Sequence, residues 1–168
     1  MSYQEKKIIV SVVTGILLLA AYCIYAISRI QSGTASPDDL KFWATAILLF
    51  IGIGIVASIV IQIVFHILLS IAYAIREKIK NGDCDDKEIE KAIEQNMVED
   101  EMDKLIGLKS TRIGFAVAGV GFVAALVAVI LNFSAAVMLN VMFVSFSVGT
   151  IIEGFAQLSF YKKGVCNG

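Results

Sequence analysis

From Phe42 to Ile75 the chain carries no Asp, Glu, Lys or Arg over 34 consecutive residues, and no other feature limits its fold as much. A helix of that length would be about 51 Å long at 1.5 Å per residue. The hydrocarbon core of a bilayer is only about 30 Å thick and is crossed by about 20 apolar residues. Three further stretches meet the same criterion, so membrane spans are expected at about residues 8–28, 42–75, 112–131 and 135–161. The remaining chain is too short for a separate folded domain, and residues 1–168 read as a single four-span membrane domain.

Composition agrees: 58% of the residues are hydrophobic and 17% charged, against about 45–50% and about a quarter in a soluble domain. These proportions exclude a soluble enzyme, a disordered chain and a secreted disulfide scaffold. A signal peptide is the competing reading of the first span, because Lys6 and Lys7 precede it. Its apolar core is longer than the roughly 7–15 residues of a signal peptide, and no convincing small-x-small cleavage site follows.

Orientation follows from the basic residues. Of the 14 Lys and Arg, only Arg29 and Lys41 lie in the connection between spans 1 and 2. The others flank span 1 at Lys6 and Lys7, lie between spans 2 and 3, or follow span 4 at Lys162 and Lys163. Both termini and the middle loop are therefore expected in the cytoplasm. The expected fold class is an all-α integral membrane protein with four transmembrane helices, a long helix 2, and a cytoplasmic helical segment over about residues 76–111.

Helix ends are legible. Ser36-Pro37-Asp38-Asp39 reads as an N-cap serine, a proline at the first helical position and acids in the first turn. Asn81-Gly82 reads as a stop. Helix 2 is then expected over Pro37 to Lys80, with Gly52-Ile53-Gly54 as a bend or a close-packing site. Asn132-Phe133-Ser134 leaves room only for a tight antiparallel turn between spans 3 and 4. Gly114, Ala118, Gly121 and Ala125 give span 3 small residues at spacings that let helix backbones approach. Gly114 and Gly121 are expected against span 4, within one chain. Phe42 and Trp43 at one boundary, and Tyr73, Phe160 and Tyr161 at the other, read as aromatic belts.

Ten of the 15 acids fall between Asp83 and Asp103. Asp85 and Glu88 have capping-box spacing, and Ile89, Ala92, Ile93 and Met97 continue at helical spacing. Such a helix could run back along helix 2 and cover Ile67, Leu68, Ile71 and Ile75. A break is expected near Gly107, with Ser110 capping span 3. Glu99, Asp100, Glu101 and Asp103 are candidate docking acids for a basic partner, although a solvated helix face explains them more simply. An EF-hand is not expected: the sixth position from Asp83 is Glu88 where that loop needs glycine.

Two ionisable groups lie inside the spans, His66 and Glu153. Such groups are costly in hydrocarbon and are functional candidates by default. Gln62 and Gln157 stand four residues from His66 and Glu153 and share their helix faces. A His66–Glu153 pair could serve a small, oligomeric proton-coupled transporter or channel. A polar contact that fixes helix register is the simpler account.

Catalytic motifs are missing. There is no C-x-x-C, no G-x-S-x-G and no P-loop, and one histidine without acid-rich metal spacing excludes a zinc peptidase. No enzyme, metal or cofactor is expected, and no nucleic-acid partner, because there is no basic patch. The expected partners are the lipid bilayer, further copies of this chain, and a membrane or cytoplasmic protein.

The stretch Asp100-Glu101-Met102-Asp103-Lys104-Leu105-Ile106-Gly107-Leu108-Lys109-Ser110 runs straight into span 3. It resembles a feature of small multi-pass bacterial membrane proteins, in which an acidic D-E-x-D motif precedes a transmembrane hairpin. Met102 stands where arginine is common in them. The resemblance covers about a dozen residues plus the topology, and it implies a bacterial cytoplasmic membrane but no activity. Tyr3–Ala26 and Met102–Val127, each a charged lead into an apolar run, hint at a 2 + 2 repeat. The resulting expectation is a self-associating membrane accessory, sensor or scaffold.

Overall fold

The computed structural model describes residues 3–81 and 100–163 of the chain. They form four helices: α1 (Tyr3–Gln31), α2 (Leu40–Asn81), α3 (Glu101–Ile130) and α4 (Ala135–Lys163), with no strand among the described residues. All four are long and apolar enough to cross a membrane. A helix satisfies its own backbone polar groups, which any segment in hydrocarbon must do. The exterior suits such a solvent. Leu17, Leu48, Leu68, Phe115, Val120 and Ile130 are among many large apolar side chains left exposed.

The helices are arranged around α4, which packs against all three others, most extensively against α3. One face of α3 supplies Ile106, Ser110, Gly114, Ala118, Gly121 and Ala125, all buried. At Gly121 a β-carbon would fall 2.0 Å from the Ser145 β-carbon. At Gly114 it would lie 3.0 Å from the Gly149 carbonyl oxygen, and at Gly149 it would lie 2.8 Å from that of Gly114. The α3–α4 crossing leaves no room for a β-carbon at Gly121 and Gly149 and little at Gly114. Gly154 takes the same role toward α1, where a β-carbon would meet Val12 at 2.2 Å. The two candidate glycines of α2 separate: Gly54 faces Leu18, whereas Gly52 faces open space, and the helix runs unbroken through both.

Both tight connections lie at one end of the bundle. Between α3 and α4, Asn132 takes a left-handed conformation (φ 65°). Phe133 N–H donates to the Ala128 carbonyl and Asn132 N–H to that of Val129, which is a Schellman ending. Gly33 (φ 67°) ends α1 in a similar way, its N–H donating to the Ile30 carbonyl. The Ser134 hydroxyl lies 3.4 Å from the Pro37 carbonyl, so the two hairpin tips meet.

Three expectations about helix ends are corrected. The N-cap of α2 is Asp39, whose carboxylate accepts from Phe42 N–H at 3.0 Å, and the helix starts at Leu40, not at Pro37. Ser36 instead closes a turn, its carbonyl accepting from Asp39 N–H and from the Trp43 indole at 2.9 Å. Trp43 is therefore no belt residue. It is 2% exposed and packs with Ala35 and Ala136, because its N–H is satisfied inward. Nor does α3 break at Gly107. It starts at Glu101 behind an Asp100–Asp103 capping box, and the Ser110 hydroxyl bonds back to the Ile106 carbonyl within the helix. The second half of the expected cytoplasmic segment is thus the first turns of α3. Residues 76–81 of that segment complete α2, and residues 82–99, with the Asp85–Glu88 box, lie outside the described residues.

The 42 residues of α2 make it about 63 Å long, against about 44 Å for α1 and α4. Tyr3, the first described residue of α1, lies tilted against the Phe65 ring and edge-on to His66. Residues 67–81 continue past it for about 22 Å, and there Ile67, Leu68, Ile71 and Ile75 are exposed.

Replacing Gly121 by Val should destabilise the fold by about 1–3 kcal/mol through overpacking. Gly119→Ala, where a β-carbon meets open space, should leave thermal unfolding in detergent unchanged or raise its midpoint. Equal effects of the two substitutions would contradict the glycine seam.

Candidate functional site: a polar cleft around Glu153

At the end of the bundle opposite the hairpin tips, α1 and α3 stand on either side of α4 with a cleft of about 660 Å³ between them. Its polar lining comes from all four helices: Lys7 and Ser11 from α1, Gln62 from α2, Lys104 and Thr111 from α3, and Thr150, Glu153 and Gln157 from α4. Ile8, Val12, Ile151 and Leu108 supply apolar wall. The cleft exists because α1 and α3 each pack on α4 and hardly touch one another.

Glu153 is its central charge. It is half-buried, with its β-carbon and Oε2 against Gly114, each 3.0 Å from where an added β-carbon would lie. The Thr111 hydroxyl donates to Oε1 at 2.6 Å. Oε2 accepts no hydrogen bond among the described residues. No buried side-chain oxygen there lacks a partner, so Oε2 keeps some exposed surface. Seam and site are one construction: the helix approach that glycine permits brings the threonine donor to the carboxylate.

His66 does not join it. His66 is exposed and lies edge-on to the Tyr3 ring at 6.5 Å, lining a separate recess with Phe65 and Ile67. Glu153 has Thr111 as its partner, so the pairing expected from sequence is replaced by two separate environments. Gln62 borders both recesses, and Gln157 borders the Glu153 cleft alone. The separation is physical: α2 sits beyond α1, and its His66 face turns toward the start of that helix.

The candidate docking acids divide too. Asp100 accepts from Asp103 N–H at 2.7 Å, and Asp103 accepts from Asp100 N–H at 3.2 Å. Asp103 also receives the Tyr161 hydroxyl, which ties the start of α3 to the end of α4. The D-x-x-D spacing is therefore a capping box with a cross-helix latch. Glu101 is exposed, and Glu99 lies outside the described residues.

Sequence reasoning missed Thr111, Tyr161 and a second polar contact deep in the bundle. There the Tyr22 hydroxyl donates to the Asn140 carboxamide, with Phe50 and Phe143 edge-on to the Tyr22 ring. Asn140, an amide within an apolar span, was the signal for it. Tyr22 and Trp43 are each 2% exposed, and they fill the bundle between the cleft and the hairpin tips.

Thr111→Val removes the donor to Glu153 while keeping its shape. It should cost about 0.5–1.5 kcal/mol, or more if the carboxylate stays charged, and Thr111→Ser should restore most of that. Thermal unfolding of both variants in detergent checks this. Identical midpoints for wild type and Thr111→Val would remove the contact from the account.

No family model, curated protein or solved structure matches the chain.

Proposed function

We propose that this is a multi-pass protein of a bacterial cytoplasmic membrane, with both termini in the cytoplasm. It acts without catalysis as an accessory, sensor or scaffold, and the cleft around Glu153 is its working site. One observation carries the reading: the cleft opens at the basic end of the bundle and is blocked toward the other end by packed Tyr22 and Trp43. A single chain with that shape offers a place to bind, not a path to cross. The D-E-x-D stretch and the basic residues at that end support the bacterial membrane and the orientation. Self-association would use α2, the helix whose apolar surface is least covered by the rest of the chain.

In a variant with Cys23, Cys84 and Cys166 replaced by Ser, a cysteine at Thr34 should react with an impermeant maleimide in spheroplasts. One at Lys163 should react only after lysis, and the reverse pattern would invert the topology. Proteoliposomes of the full chain should hold an imposed proton gradient as long as empty vesicles do. Rapid dissipation that is lost in Glu153→Gln would replace the binding reading with proton-coupled transport.

A further inference from the structure

Gln4 is only 9% exposed, lines the Glu153 cleft, and makes no side-chain hydrogen bond among the described residues. No fully buried side-chain nitrogen or oxygen there lacks a partner, so its carboxamide keeps some exposed surface. A polar side chain that is buried but unpaired is rare in folded proteins, and a ligand that supplies the missing bonds would account for it. Gln157 and Gln62 add two further carboxamides to the cleft wall. Among the described residues, four charged side chains line the cleft, and two of them are engaged. Asp103 accepts from Asp100 N–H and the Tyr161 hydroxyl, and Lys7 has a partner of its own. Glu153 Oε2 and the Lys104 ammonium are left, one of each sign.

These groups stand at different depths. Lys104 precedes Thr111, the partner of Glu153, by seven residues, which is two turns on the same face of α3 and about 10 Å nearer the basic end. Its side chain leans further that way, toward the start of the helix. Gln157 stands one turn of α4 outward of Glu153, and Gln4 two turns of α1 outward of Ser11. From the inside outward the order is carboxylate, carboxamides, ammonium.

We propose that the cleft binds a short peptide with both termini free. Its N-terminal ammonium would sit on Glu153 Oε2, its peptide groups on the Gln157 and Gln4 carboxamides, and its C-terminal carboxylate on Lys104. A carboxamide offers both donor and acceptor, as a peptide group does. About three to four extended residues span about 10–14 Å, which matches the separation of the two charges. The cleft of about 660 Å³ lies within the roughly 300–1,000 Å³ of small-molecule sites, and it opens at the basic end, where a water-soluble ligand enters. A single amino acid carries both charges on one carbon and reaches only one of the two groups. A polyamine would set a second ammonium against Lys104, and a neutral polyol would leave both charges unmatched. The inference rests on the cleft being the working site.

The test is calorimetric titration of the full chain in phosphatidylcholine nanodiscs with trialanine, against empty discs. Saturable binding near one per chain is expected. N-acetyl-trialanine and trialanine amide should each bind about tenfold or more weaker, through loss of one charge-assisted contact. Each blocked end should report on one residue. Glu153→Gln should weaken trialanine but not N-acetyl-trialanine, and Lys104→Ala should weaken trialanine but not trialanine amide. Lys104 is exposed, so its half of the comparison stands even if Glu153→Gln folds poorly. Absence of saturable trialanine binding, or blocked peptides binding as well as the free one, overturns the proposal. So does alanine or spermidine binding as tightly as trialanine, which would assign the cleft to a single amino acid or to a polycation. Failed trialanine binding by a chain whose vesicles still hold a proton gradient removes the ligand alone; gradient dissipation that is lost in Glu153→Gln removes the binding reading of the cleft itself.

Discussion

At the crossing of α3 and α4, Gly114 and Gly149 each face the other's carbonyl oxygen, which would lie 3.0 and 2.8 Å from an added β-carbon. In water, two apolar helices would be pressed together by the solvent. In hydrocarbon that drive vanishes, and association depends on close van der Waals contact and on interhelical hydrogen bonds. The seam supplies the first through Gly114, Ala118, Gly121 and Ala125. It makes possible the second, because Thr111 reaches Glu153 and Tyr161 reaches Asp103 only when the backbones approach this closely.

The remaining architecture follows from α4 serving three neighbours. Gly154 and Gly149 are five residues apart, so one faces α1 while the other faces α3. Two helices set on different faces of a third leave a groove between them, and at the basic end that groove is lined with polar side chains. At the other end Trp43, Tyr22 and Phe50 fill the available space. Bulk at one end and small or polar residues at the other make the cleft one-ended, without any element devoted to closing it.

Polar residues in the spans sort by geometry, not by residue type. Glu153 is held by a threonine one seam position away, whereas His66, equally unusual in an apolar stretch, lies beside Tyr3 at the flank of the bundle. Asp100 and Asp103, which read as surface charge, are consumed in capping α3 and latching α4. A carboxylate near a helix start is favoured there by the free N–H groups and the helix dipole, and this accounts for their spacing.

Four long helices, the tight turn between α3 and α4, and a small-residue face on α3 were legible in the sequence, because each is a local property. Apolar run length sets a span, Asn132-Phe133-Ser134 leaves room only for a turn, and glycine spacing marks a face. The start of α2 was misjudged by three residues because Ser36, Asp38 and Asp39 can all cap, and only the docking of Trp43 on Ala35 and Ala136 selects Asp39. Which polar groups meet could not be read at all. Periodicity gives the face a residue occupies on its own helix, but not the neighbour that face receives. That neighbour is decided by how three helices share the surface of α4, and so the tertiary structure alone joins Glu153 to Thr111 and sets His66 apart.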